Sequence, residues 1–327
     1  MRSRIAGIGR GVPQKVLTNA DLEQMVDTSD AWITERTGIK ERHIAAEGQF
    51  TSDLAADAAR MACEQAGITP EDLDAIILGT VTPDMPMPAT AAFVQHKIGA
   101  RRNIPAFDIS AACAGFLFGL GLADGLLGRG MHKRVLVVGV ELLSRVLDWT
   151  DRNTCVLFGD AAGAAVVVPS DDEEHGLLAV EMHTDGTYTG DLDIRGGGSV
   201  FPASHQTVDE KLHQVRMNGR QIFTQAVRNM SSASASVLER CGLTPDDVTT
   251  VFAHQANMRI IEGVSQRTHI SLDRFFINIQ RYGNTSSASI PIAMSEALEQ
   301  GRIHKGDLLL LTALGAGVSW AAALVRW

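Results

Sequence analysis

The sequence predicts a mixed α/β protein made of two similar halves, each built on a central sheet buried on both faces. Three observations predict it. Apolar runs of strand length alternate with helical stretches of ten or more residues. A motif recurs: Gly67-Ile-Thr-Pro-Glu-Asp-Leu-Asp-Ala-Ile-Ile resembles Gly242-Leu-Thr-Pro-Asp-Asp-Val-Thr-Thr-Val-Phe, an offset of 175 from residue 67 to residue 242. Finally, 327 residues with 45% hydrophobic and 20% charged content suffice for a large core without disulfides or metals.

The elements follow in order. The chain opens on Ile5-Ala-Gly-Ile-Gly-Arg-Gly, which superficially resembles a dinucleotide fingerprint. Pro13 follows it and no apolar helix begins at the required place, so the reading is discarded. In the first half an amphipathic helix over 52–66 precedes a strand over 75–78. An extended run over 105–109 then leads to Cys113 and an apolar helix over 116–127, with strands over 134–140 and 164–168 beyond. In the second half a helix over 222–241 precedes a strand over 248–253. An extended run over 275–279 leads to Asn284, and strands over 308–312 and 321–325 close the chain. The halves divide as 1–172, carrying Cys113, and 173–327, carrying His254 and Asn284. Pseudo-symmetry between them brings the helix starts bearing Cys113 and Asn284 toward one interface.

Bulk properties exclude several functions. Net charge is -9, from 29 Lys and Arg against 38 Asp and Glu, which argues against wrapping nucleic acid. Cys63, Cys113, Cys155 and Cys241 have neither metal-ligand spacing nor the density of a secreted disulfide framework. With no apolar signal-peptide core at the start, a reducing, cytoplasmic location is expected, with no metal. Residues 308–325 are almost uncharged and about as long as a membrane span. Thr312, Gly315, Gly317 and Ser319 divide them into two buried strands around a turn instead. Gly196-Gly-Gly-Ser lacks the Lys-Ser/Thr ending of a phosphate loop and reads as a mobile loop.

Three residues carry candidate chemistry. Taken singly, Cys113 reads as a buried structural cysteine, His254 as a satisfied structural histidine and Asn284 as a turn residue or helix cap. Their settings point elsewhere. Cys113 lies in Asp108-Ile-Ser-Ala-Ala-Cys-Ala-Gly-Phe, where small residues let a substrate approach and a helix start favours thiolate. A helix end supplying about 1 kcal/mol lowers a thiol pKa by somewhat less than a unit. His254 and Asn284 both follow strand C-terminal ends, where α/β sheets place their sites.

These residues resemble ketoacyl synthase III of the thiolase superfamily, from the first residues through Trp327. The marks are Asp27-Thr-Ser-Asp-Ala-Trp-Ile, Arg36-Thr-Gly-Ile, Ala111-Ala-Cys-Ala-Gly, Phe158-Gly-Asp, His254-Gln-Ala-Asn, Gly283-Asn-Thr-Ser and Gly317-Val-Ser-Trp. The resemblance implies a thiolase-like fold, two pseudo-symmetric α/β halves in five layers, α-β-α-β-α. It also implies a triad of Cys113, His254 and Asn284 and a two-step cycle. Cys113 takes an acyl group from acyl-CoA, acetyl-CoA or another short to medium chain. Malonyl-acyl-carrier protein then loses carbon dioxide, and its carbanion attacks the acyl group to give 3-oxoacyl-carrier protein, starting fatty acid synthesis. Neutral His254 and the Asn284 amide suit the enolate, and the backbone N–H groups of Cys113 and Gly317 the acyl oxyanion.

For coenzyme A, a substrate rather than a cofactor, the resemblance implies Trp32 against adenine, with Thr28, Arg36 and Arg152 around the nucleotide. Asn257 and Gly219 line the pantetheine tunnel. Arg220, Arg259 and Arg267 are the basic candidates for the acidic carrier protein. Leu143 and Phe158 belong to the acyl pocket, and Met87, in a homodimer, closes the partner's pocket. Phenylalanine is the familiar residue at Met87, so methionine implies a primer range broader than acetyl. Thr224 stands where the family often has lysine, and Ala316 interrupts a common triple glycine. Other readings stay open: a family member with a different acceptor, a cysteine hydrolase, or a non-catalytic acyl-CoA-binding relative.

Overall fold

In the computed structural model, which describes residues 2–172 and 174–327, apolar runs build two large sheets, beside two small two-stranded ones. The first has five strands in the order Arg2–Gly11, Asp160–Ser170, Val135–Leu142, Ala75–Gly79 and Ala106–Ile109. Its last three are mutually parallel, and the first two neighbours are antiparallel. The second has four, in the order Thr250–Ala253, Leu308–Gly315, Ser319–Arg326 and Gly176–Thr184. It repeats the scheme: its first pair is parallel and the next two pairs antiparallel.

Side-chain alternation sorts each strand between two cores. Ile76, Leu78, Leu136, Val138 and Val140 pack against the helices Thr51–Gln65 and Thr90–Ile98. Ile77, Val135 and Val137 face the other way, onto the helices Gly115–Gly128 and Ser289–Glu299. Leu309, Leu311, Ala321 and Ala323 of the second sheet reach that same central layer. Leu308, Leu310, Ala322 and Leu324 instead meet the helices Gly219–Arg240 and Met258–Thr268. The result is the five-layered α-β-α-β-α thiolase-like arrangement. Strands buried on both faces explain the continuous apolar runs, and no described helix is long and apolar enough to cross a membrane.

The glycines of the opening segment have a packing role. An added Cβ at Gly7, Gly9 or Gly11 would overlap backbone of the Thr51–Gln65 helix. Alternate glycines let strand and helix backbones approach, which accounts for a nucleotide-like pattern without a nucleotide site.

The repeated motif forms the same turn twice. Thr69 donates its N–H and hydroxyl to Asp72 Oδ2, both at 3.0 Å. Thr244 does the same to Asp247, at 2.7 and 2.8 Å. Further along, the 3-10 turn Ala112–Ala114 matches Ser286–Ala288, with φ of 45° at Ala112 and 50° at Ser286. The counterpart of Cys113 is therefore Ser287, and Asn284 lies just before the second turn rather than opposite the cysteine.

One expected strand does not form. Residues 275–279 touch the second sheet through a single bridge, Val251 to Phe275. Phe276 N–H donates to the Val251 carbonyl at 3.0 Å. The Asn278 and Ile279 amides then turn to Gln255 Oε1, each at 3.2 Å, and the short helix Ile279–Tyr282 begins. A side-chain acceptor thus replaces the ladder.

Gly139 sits where the two halves meet, and an added Cβ would overlap the Ser287 carbonyl. Gly139→Ala should destabilise the fold by about 1–3 kcal/mol through overpacking. Gly125→Ala, in open space on a helix, should instead stabilise by about 0.5–1 kcal/mol. Denaturant unfolding of the two variants measures both.

Candidate active site

Cys113 is carried by the tight turn Ala112–Ala114 immediately before the Gly115–Gly128 helix. It can sit there because the second sheet offers no side chain at the contact: a Cβ on Gly315 would lie 2.5 Å from the Cys113 nitrogen. Cys113 is 8% exposed. Burial pushes its thiol up to about 12, and the Glu141 carboxylate adds to the rise while the nearby Ser286 hydroxyl opposes it. Burial thus runs against the lowering expected from the helix start, and Cys113 rests as a thiol.

Asn284 is fixed by backbone. Its N–H donates to Leu157 O at 2.8 Å and its carbonyl accepts from Gly159 N–H at 3.0 Å. Its Oδ1 accepts the Ser286 N–H at 2.9 Å, which leaves the side-chain NH₂ as the group available to a ligand. The Phe158-Gly-Asp motif explains this docking. Gly159 and Gly283 clear the approach, and Asp160 anchors the strand start by accepting from Ala45 and Ser144 amides, both at 2.8 Å.

His254 ends the Thr250–Ala253 strand, its N–H donating to Thr312 O at 2.8 Å. Its Nδ1 lies 2.7 Å from Ser289 Oγ. That hydroxyl oxygen also accepts from Gln255 N–H at 3.4 Å. With the hydroxyl hydrogen donated to Nδ1, Nε2 carries the ring proton. Burial pulls His254 down to about 3, so the imidazole is a neutral donor.

Two cavities meet at the sulfur. One, of about 690 Å³, contains Cys113, His254 and Asn284 together, and runs out past Gly219, Asn257 and Trp32. Another, of about 520 Å³, continues beyond Cys113 and is lined by Thr80, Met85, Leu143, Phe158, Ser286 and Ala316 among others. Phe158 stands at the junction, bordering both.

At the mouth, Ser29 caps the Asp30–Thr37 helix by accepting from Trp32 N–H at 3.1 Å. One turn apart, Trp32 and Arg36 share a face, and the Arg36 guanidinium lies 4.6 Å from the Trp32 ring. Arg152 approaches the same ring at 5.2 Å and donates to Asp27 O. Buried Thr28 Oγ1 has no hydrogen-bond partner. Arg220 and Arg259 edge the larger cavity.

Ala316 borders the smaller cavity beside Cys113, and Gly317 follows it in the turn between the last two strands. Arg267 lies at the far end of the Met258–Thr268 helix from Arg259, about 12 Å along its axis. Met87 is 83% exposed and stands outside this chain's own cavity, as a residue directed to a partner's pocket would, while Met85 lines that cavity.

Three polar neighbours of the site were not singled out in the sequence. Ser289 and Ser286 were hidden in a run of small residues typical of any helix start. Glu141 had a visible signal, a carboxylate within the otherwise apolar strand Val135–Leu142.

Two family models match: 3-oxoacyl-[acyl-carrier-protein] synthase III over residues 107–186 and its C-terminal model over residues 238–327. The β-ketoacyl-[acyl-carrier-protein] synthase III of Caldanaerobacter subterraneus subsp. tengcongensis is 52% identical over 99% of this chain and 97% of its own length. That of Symbiobacterium thermophilum is 51% identical over the same shares. The crystal structure of 3-oxoacyl-[acyl-carrier-protein] synthase III from Aquifex aeolicus VF5 superposes with a TM-score of 0.92 at 46% identity, covering 99% of this chain and 100% of that one.

The His254 imidazole should remain neutral from pH 8 down to 5. Nitrogen NMR of labelled protein should show no His254 protonation in that window, and a midpoint above pH 5 would contradict the buried, neutral donor.

Proposed function

Because the chain belongs to the 3-oxoacyl-[acyl-carrier-protein] synthase III family, we propose that it condenses an acyl-CoA primer with malonyl-acyl-carrier protein through an acyl group on Cys113. The observation that carries this reading is the meeting of Cys113, His254 and Asn284 in one cavity that leads to the Trp32 face. Covalent capture lets one passage serve two large thioesters in turn.

In the first step Cys113 Sγ bonds to the thioester carbonyl carbon, the carbon–sulfur bond to coenzyme A breaks, and coenzyme A departs as a thiol. In the second, the bond from the malonyl α-carbon to its carboxylate breaks and the electron pair forms an enolate. His254 Nε2–H and the Asn284 amide donate to the enolate oxygen. The carbanion attacks the acyl carbonyl and expels the Cys113 sulfur, which takes up a proton from solvent to restore the thiol, giving 3-oxoacyl-carrier protein and carbon dioxide. We assign the acyl oxyanion to the backbone N–H groups of Cys113 and Gly317, next to Ala316 on the cavity wall. The cycle balances without a metal or a redox cofactor.

Neutral donors suit this chemistry. A cationic imidazole would stabilise the malonyl carboxylate in the ground state and retard its loss. Burial removes that charge from His254.

The nucleotide of coenzyme A is assigned to Trp32, Arg36, Arg152 and Thr28, and pantetheine to Gly219 and Asn257. The carrier-protein contact is assigned to Arg220 and Arg259, whose place on the rim supports it. A homodimer fits the free edge of the Ala106–Ile109 strand and the exposed Met85, Met87 and Phe107. The cavity beyond Cys113 and the two methionines support primers longer than acetyl.

A panel of acyl-CoA primers with malonyl-carrier protein tests this. Cys113→Ala should lose all acyl labelling by mass spectrometry. Asn284→Ala should keep labelling yet lose condensation by roughly 10²–10³-fold. Labelling retained without Cys113, or turnover confined to acetyl-CoA, would overturn the nucleophile or the primer range respectively.

A further inference from the structure

The resting thiol of Cys113 needs a proton acceptor, and His254 is a poor one. Its Nδ1 is held by Ser289 at 2.7 Å, and burial keeps its basicity low. Among the carboxylates bordering the smaller cavity, Asp108 accepts from the Thr90 and Ala91 amides and Asp193 pairs with Arg195. Another carboxylate lies behind the cavity wall. Glu141 is fully buried, and it accepts from Thr80 Oγ1 at 3.2 Å, Val81 N–H at 3.1 Å and Thr82 Oγ1 at 2.5 Å. Ser286 Oγ donates to it at 3.3 Å, and Ser286 shares the wall of the smaller cavity with Cys113, where its hydroxyl opposes the rise of the thiol. Among the described residues no Lys, Arg or His forms an ion pair with Glu141.

Resting on the acyl-Cys113 reading, we propose that Glu141 acts through Ser286 as the acceptor of the Cys113 proton, a positioning residue for the nucleophile. As the sulfur bonds to the acyl carbon, its proton passes to Ser286 Oγ while the Ser286 proton passes to the Glu141 carboxylate. The carbon–sulfur bond to coenzyme A breaks, and the proton returns by the same path to the leaving thiolate. Glu141 ends ionised, as it began.

Glu141 is suited to this exchange. Burial raises it to about 7 while its four donors pull the other way, which matches an acceptor to neutral solution. The elements packed around it contribute few competing charges. Asp160, on the adjoining strand, is engaged by Ala45 and Ser144. Asp124 of the Gly115–Gly128 helix is bound by Ser3. On the Thr51–Gln65 helix Asp53 pairs with Lys97, while Asp57, Arg60 and Glu64 turn to solvent and Cys63 is buried. The strand Ala75–Gly79 and the turn Ser286–Ala288 carry no titratable side chain.

The test is single-turnover acylation of Cys113 by acetyl-CoA across pH 5.5–9, followed by mass spectrometry. The natural protein should show a rise through a midpoint near pH 7, as Glu141 ionises. Glu141→Gln keeps the size of the side chain and removes the acceptor. It should acylate at least about tenfold more slowly, with that midpoint lost and the rate climbing with hydroxide. Ser286→Ala should do the same, and the double variant should be no slower than the slower single one. Unchanged rate and pH profile in either variant would overturn the relay, as would additive losses in the double variant. If Glu141→Gln does not fold, Ser286→Ala decides alone. Failure of the natural protein to acylate would instead refute the acyl-Cys113 reading.

Discussion

Everything at this site depends on two backbones approaching closely where the halves of the molecule meet. The Cys113 turn rests on the second sheet at Gly315, and the Ser287 turn rests on the first sheet at Gly139. Each helix start is thus packed against the strand of the opposite half. A side chain at either strand position would hold the turns apart. The sulfur, the imidazole and the carboxamide would then no longer share one cavity. The glycines are conformationally ordinary there, and what they supply is the absence of a Cβ.

The second constraint is electrostatic. Cys113, His254 and Asn284 are all buried, and the resting site holds them as thiol, neutral imidazole and amide. Low polarity strengthens each hydrogen bond to a developing enolate, while it suppresses permanent charge on the groups that make them. The carboxylate of Glu141 is the exception, retained by three hydroxyl donors and one backbone amide. Charge at the entrance follows the opposite rule. Arg36 and Arg152 flank the Trp32 ring at the surface, where solvated guanidinium groups are inexpensive and suited to phosphates.

Much of the fold was legible because strands buried on both faces write themselves as apolar runs, and because the Thr-Pro-acid-Asp turn occurs twice. The strand expected over 275–279 was not legible, since its amides are taken by the Gln255 side chain, a partner some twenty residues away in sequence. The pairing of Cys113 with Asn284 across the halves was read three residues out of register for a related reason. The turns superpose Cys113 on Ser287, and residue offsets cannot reveal where a 3-10 turn begins.

By itself the sequence determined the α/β class, the duplicated plan and the identities of the cysteine, histidine and asparagine, because periodicity and motif chemistry are local properties of a chain. Only the tertiary structure decided the state in which they rest. Solvent exclusion keeps Cys113 a thiol and His254 neutral, Ser289 meets the His254 Nδ1, and the contact at Gly315 seats the Cys113 turn on the second sheet. Burial and distance between remote residues fix these properties, and neither is encoded in the neighbours of any one position.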